Sequence, residues 1–236
     1  MILTIANDPH ALAQALADRL LLEARAAMAQ DRPLRIALSG GSTPALFYEE
    51  LARHSAVTPW STLRIYFSDE RAVPPDHPDS NFGLAQRLWL TKAPPDAHIY
   101  RIPGERGASE AAHYYEALLA TQAAPVFDIV FLGLGPDGHI ASLFPGTPLA
   151  TQDRVVAVPA TSTRSARISL SLATIVAART RIVLTQGSAK AARLKQSLAA
   201  DDEAPIATLL RQASVEFWLD QAAASALCAQ LPNQHG

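Results

Sequence analysis

The chain has 236 residues, 49% of them hydrophobic and 18% charged, with a net charge of −2. That length can bury a sizeable core and the composition is ordinary for a soluble globular protein, while the near-neutral charge gives no electrostatic footprint for nucleic acid or a membrane surface. A single cysteine, Cys228, excludes an intrachain disulfide and any thiolate-rich zinc site; in "ASALCAQL" it reads as a small apolar helix residue.

The opening "MILTIANDPH" has no basic leader and only a brief apolar run, so a cytoplasmic location without a membrane span is expected. A strand is predicted over residues 2–6 and a helix over 9–30. The next strand, 34–40, runs into "LSGGSTPALF", where Gly40 and Gly41 precede Ser42, Thr43 and, at a first helical position, Pro44. Glycines let the backbone approach a ligand closely, and the start of the helix predicted over 43–54 offers unpaired N–H groups and a dipole favourable to an anion. The loop is therefore either a phosphate cradle or a strand-to-helix turn capped by Ser or Thr. It is not a Walker A loop, which needs a Lys-Ser/Thr pair after the last glycine.

The strand predicted over 63–69 ends in "FSDERAVPPDHPDSNFG", which gathers Asp69, Glu70 and Arg71. Charges at the end of an apolar strand must be paired or bind something, and Arg71 has a planar fork suited to phosphate or carboxylate oxygens. The alternative is an Asp–Arg pair tying down a long loop. Proline-rich stretches at 73–80 and 93–104 read as surface loops, and a helix is predicted over 109–120.

A strand over 128–135 leads into "FLGLGPDGHIASLFPG". Gly133, Gly135 and Gly138 satisfy G-x-G-x-x-G, yet a dinucleotide turn needs a helix after it and an acidic residue about twenty positions on. Here Pro145 and Gly146 follow within a few residues, position 158 is valine, and Asp137 would repel a pyrophosphate. The motif is better read as a turn that presents His139, with Asp137 near enough to orient the imidazole and the histidine poised as general base. His10, His54, His77, His98, His113 and His235 lack comparable surroundings and are read as structural.

Strands follow over 154–160, 181–187 and 215–220, with a helix over 188–200. Arg167, in "RISLSL", is either a further binding cation or a surface arginine. In "LTQGSAKAARL", Lys190 falls in the first turn of a helix, where a cation opposes the dipole unless an anion sits nearby. The alternation of strands and helices predicts an α/β fold: one domain spanning 1–236, with a Rossmann-like, mostly parallel sheet flanked by helices. Ligands of such sheets bind beyond the carboxyl ends of the strands, where all these loops lie. The loops together point to a phosphorylated small molecule handled by acid–base chemistry, and no nucleophile-elbow serine demands a covalent intermediate.

The segments "SGGSTP", "SDERAVPPDHPDSNFG", "GLGPDGHIASLFPG", "ARISLSL" and "GSAK", in this order, resemble the glucosamine-6-phosphate isomerase/6-phosphogluconolactonase family from about residue 34 to 220. Two features favour the lactonase branch over the deaminases. Ser142-Leu143-Phe144-Pro145 stands where deaminases have Phe-Asn-Glu-Pro, and Arg71 stands where they tend to carry an aromatic residue. Ile140 and Gln186 depart from the threonines common at those positions in lactonases.

The resemblance implies hydrolysis of a 6-phosphogluconolactone in the oxidative pentose phosphate pathway, with no nucleotide cofactor and no required metal. It implies that Arg71 and Lys190 hold the phosphate, with Gly40, Gly41, Ser42 and Thr43 in the same pocket and Arg167 a further contributor. His139 is then the expected general base, and Asp137 and Asp69 are the candidates to orient the imidazole or the sugar hydroxyls. The only partner expected is the sugar phosphate itself, with the chain a monomer or weak homodimer. Two rivals are an amino-sugar-phosphate deaminase, which would release ammonia, and a sensing module that binds a sugar phosphate without turnover.

Overall fold

The computed structural model describes residues 1–121 and 127–228. Its strands are β1 (Ile2–Ala6), β2 (Leu34–Leu38), β3 (Leu63–Phe67), β4 (Asp69–Arg71), β5 (His98–Ile99), β6 (Ile129–Gly133), β7 (Val155–Val158), β8 (Arg167–Leu170), β9 (Thr180–Thr185) and β10 (Glu216–Asp220). Its helices are α1 (Pro9–Ala29), α2 (Ser42–Arg53), α3 (Asn81–Leu88), α4 (Ala108–Ala120), α5 (Leu172–Ala177), α6 (Ala191–Gln196), α7 (Pro205–Gln212) and α8 (Gln221–Cys228). The Cys228 side chain and His235 lie outside the described residues.

Seven strands form a wholly parallel sheet in the order β1-β10-β9-β6-β2-β3-β5. Its central members read as unbroken apolar runs because both faces are covered: Ile129, Val130, Phe131 and Leu132 of β6 are all buried. The helices cover them with apolar stripes. α1 starts where the Asp8 carboxylate accepts the N–H groups of His10 and Ala11, and it buries Leu12, Leu16, Leu20, Ala24 and Ala27 on one side. α2 sets Phe47 against Phe131, ring centroids 5.2 Å apart. In α4, the Tyr115 hydroxyl takes the N–H of Phe67 at 3.0 Å and so anchors the end of β3.

After β2 the chain moves outward to β3 and β5; after β6 it moves the opposite way through β9 and β10. The order therefore reverses between β2 and β6, and their carboxyl ends open the crevice where ligands of such sheets bind.

The three-stranded antiparallel sheet β4-β8-β7 was not predicted, nor were β5, α3, α5 and α7; the helix read around Cys228 is α8. Two details of the helix starts also differ. α2 begins at Ser42, with Gly41 as its N-cap at φ 105°, so Pro44 is its third residue, and no side chain caps it. The helix expected over 188–200 is a 3₁₀ turn, Ser188–Lys190, followed by α6. Among the described residues, no helix is long and apolar enough to cross a membrane.

Candidate active site

A cleft of about 210 Å³ opens at the switch point. Gly40, Gly41, Ser42 and Thr43 after β2, Asp69 and Arg71 of β4, His139 after β6, Arg167 of β8 and Lys190 after β9 all line it. The structure thus brings together every sequence-predicted site residue except Asp137, which stands just behind the histidine.

The glycines of the β6 loop are explained by His139. A Cβ on Gly135 would fall 2.1 Å from the imidazole Nδ1, so the ring rests directly on that glycine. Gly138 has φ +84°, in the left-handed region. The Gly135 N–H donates to the His139 carbonyl at 2.9 Å, closing the turn. No helix follows Gly138, which removes the structural context of a dinucleotide fingerprint. Ala141, also facing the cleft, holds φ 48°, a conformation that non-glycine residues adopt rarely.

Asp137 Oδ1 lies 2.6 Å from His139 Nδ1 and accepts the His139 backbone N–H at 3.2 Å. Partial burial opposes ionisation of Asp137, but the backbone N–H and the imidazole outweigh it and hold the carboxyl below its ordinary value. A carboxylate only accepts, so Nδ1 carries the hydrogen and the lone pair is left on Nε2. The imidazole also packs on Phe144, centroids 4.5 Å apart, and the Arg164 guanidinium lies 3.5 Å over the same ring.

Asp69 does not touch His139. It is buried, its Oδ2 accepting the Ser142 hydroxyl at 2.6 Å and its Oδ1 the Asn81 amide at 3.0 Å. It therefore ties β4 to the histidine loop and to the start of α3. Glu70 is structural: its two oxygens accept the N–H groups of Arg71, Asn81 and Phe82 and the Ser80 hydroxyl. Burial pushes the Glu70 carboxyl up, against the lowering effect of those N–H groups. The proline-rich loop is thus tied down by Glu70 rather than by an Asp–Arg pair.

The cations behave differently. Arg71 and Arg167 are direct partners across the antiparallel β4–β8 ladder, an unfavourable placement for like charges. Burial, then the charge of Arg71, hold the Arg167 guanidinium below its ordinary value. The Nε atoms of Arg71, Arg164 and Arg167 are buried without a hydrogen-bond partner. Among the described residues, none of Arg71, Arg164, Arg167 and Lys190 forms a salt bridge. Among the described residues, the Arg71 guanidinium has the Asp79 carbonyl as its acceptor. Cations without a salt-bridge partner beside a helix start with no side-chain cap give the cleft a positive character that suits an anion. Among the described residues, no three His, Cys, Asp or Glu side chains converge as metal ligands.

Sequence reasoning overlooked Asn81, Ser142, Phe144, Arg164 and Thr185 as site components. Asn81 and Ser142 lie inside the quoted motifs, and Ser80, which caps α3 by accepting the Gly83 N–H at 2.9 Å, was an available signal for that helix. Nothing local marks Thr185, whose hydroxyl is buried and unpartnered at the end of β9.

Residues 7–218 match the family model described as glucosamine-6-phosphate isomerases/6-phosphogluconolactonase. The chain is 38% identical over 200 residues to a 6-phosphogluconolactonase of Synechocystis, covering 80% of this chain and 82% of that protein. It is 34% identical over 241 residues to the human 6-phosphogluconolactonase, covering 96% and 93%. A solved structure of 6-phosphogluconolactonase from Trypanosoma brucei superposes with a TM-score of 0.83 at 31% identity, covering 96% of this chain and 98% of that one. With the switch-point cleft and its loops in place, the chain belongs to the glucosamine-6-phosphate isomerase/6-phosphogluconolactonase family.

Proposed function

We propose that this protein hydrolyses 6-phosphoglucono-δ-lactone to 6-phosphogluconate, the second step of the oxidative pentose phosphate pathway, with His139 as general base. The observation that carries the reading is the meeting, in one cleft, of an imidazole held by a carboxylate with cations that form no salt bridge among the described residues. The names of the relatives support the same substrate.

In this reading His139 Nε2 takes a proton from water as its oxygen attacks the lactone carbonyl. The tetrahedral intermediate collapses by breaking the bond to the ring oxygen, which leaves with the proton held by the imidazolium. Asp137 keeps Nδ1 protonated and stabilises the charged ring while it lasts. Arg71, Arg167 and Lys190, with the N–H groups at the start of α2, hold the phosphate, which takes no part in bond-making. Asp69 acts through Ser142 and Asn81 by fixing the loops.

The test is hydrolysis of freshly generated lactone against a no-protein control, because the lactone also opens unaided. Wild-type protein should accelerate it, and His139→Ala should lower kcat by about 10² to 10⁴ with little change in KM. A variant that keeps near-full kcat places the base elsewhere, and a wild type without acceleration ends the lactonase reading.

A further inference from the structure

Packed against Gly138 of the histidine loop, and not lining the cleft, sits an ion pair that the chemistry above leaves unused. Arg193 of α6 is 8% exposed and pairs with Asp202, itself buried just before α7. The guanidinium is pressed against Gly138: a Cβ there would fall 2.7 Å from Arg193 Cζ and 2.6 Å from Ala204 Cβ. The Gly138 carbonyl accepts the Ile206 N–H at 3.2 Å, at the start of α7. Asp202 braces the same corner, with its carboxylate accepting the Ala204 N–H at 3.2 Å and its carbonyl the Arg211 guanidinium at 2.8 Å.

A buried ion pair is a weak source of stability, since desolvation cancels much of its attraction and an apolar pair of similar volume often serves as well. Arg193 even leaves its Nε without a partner. What a guanidinium supplies here is a flat, rigid plate that only a glycine can approach so closely. The plate and the Ile206 N–H together fix the Gly138–His139 peptide, from which both the imidazole and its Asp137 contact are hung.

We propose that Arg193, anchored by Asp202, is a positioning residue for His139. The inference rests on the general-base reading given above. Loss of the plate leaves a void behind Gly138, and the imidazole drifts from its working position. Displacements near 1 Å in a catalytic geometry lower rates by up to about 10²-fold.

The experiment measures kcat and KM for the lactone in Arg193→Met, Arg193→Lys, His139→Ala and the Arg193→Met/His139→Ala double variant. Arg193→Met should lower kcat about 10- to 100-fold and leave KM within about twofold, while Arg193→Lys recovers part of the loss. Because Arg193 acts through His139, its substitution should bring no further loss once His139 is absent. A purely structural residue would instead lower the melting temperature with kcat per folded molecule intact, and that result overturns the proposal. So do losses that multiply in the double variant. If Arg193→Met does not fold, Arg193→Met/Asp202→Asn removes both charges, keeps an acceptor for the Ala204 N–H, and is held to the same criteria. His139→Ala with full kcat overturns the general-base reading independently, whereas a large loss there beside an unaffected Arg193→Met overturns only the positioning role.

Discussion

The two ends of the parallel sheet treat arginine in opposite ways. At the amino ends of the strands, Arg32 and Arg179 both reach Asp128, at 3.1 and 3.4 Å. The other oxygen of Asp128 accepts the Arg35 N–H at 2.8 Å. Arg181 spends its guanidinium on the carbonyls of Val176, Ala178 and Ser214. Arg35, with an unpartnered Nε, is the exception at this end. At the carboxyl ends, Arg71 and Arg167 face each other across a ladder, Arg164 lies over a ring, and Lys190 borders open space. One end uses charge to hold the fold together. The other carries charge that the fold itself does not satisfy, which is the expected signature of a site completed by a ligand.

The comparison is sharpened first by removing cations from the ligand end. Arg71→Ala and Lys190→Ala should each raise KM for the phosphorylated lactone about 10- to 100-fold, the equivalent of a charge-assisted hydrogen bond worth about 1.5–3 kcal/mol. Neither should lower the melting temperature, because no carboxylate loses a partner and the Asp79 carbonyl that Arg71 leaves is exposed to water. Equal activity toward phosphorylated and unphosphorylated gluconolactone would break the assignment.

Inorganic phosphate tests the same end without substrate. At a concentration about 100-fold above its Kd it should stabilise the wild type by about 2.7 kcal/mol. Thermal melts should show a much smaller shift in Arg71→Ala, and an equal shift would place the anion elsewhere.

Removing charge at the opposite end should reverse the pattern. Asp128→Ala is expected to cost about 1–3 kcal/mol in urea unfolding, since it strips acceptors from two guanidiniums and a backbone N–H. KM should stay as it is. A stable Asp128→Ala protein would show that these pairs are ornamental.

The smallest expected effect concerns Glu70. Burial raises its native carboxyl above the ordinary 4.5, so between that value and the raised one the native state holds more proton than the unfolded chain. This group's contribution to stability is therefore complete below 4.5 and is lost as pH climbs through the raised value. Urea midpoints taken across that window should fall with pH more steeply in wild type than in Glu70→Gln. Parallel slopes would mean Glu70 is not the group responsible.

The strands of the main sheet were legible because each is a local apolar run covered on both faces. β2, β3, β6, β9 and β10 all fall within the predicted ranges to within a residue. β4 and β8 were not legible, since each is three or four residues long and their mutual pairing spans about a hundred positions of sequence, although β8 also pairs with the nearby β7. α3 carries Gly83 and follows a proline-rich loop, and its start is secured by Ser80 and the distant-looking Glu70. α7 did have a local sign, Pro205 at its first position, which went unread.

By itself the sequence determined the layered α/β alternation, the strand-end placement of the loops and the glycine turn that carries His139, because periodicity and glycine turns are local properties. It also marked Arg71 and Lys190 as cations set to meet a partner or an anion, and Arg167 as either a further binding cation or a surface arginine. Only the tertiary structure brought these cations to one cleft without a salt bridge among the described residues, and separated the contacts of Asp137 from those of Asp69. Asp137 meets the imidazole through a turn two residues long, whereas Asp69 is turned to Ser142, 73 positions away in sequence. Which charges find partners depends on which distant segments the fold brings within hydrogen-bonding reach, and no local pattern carries that information.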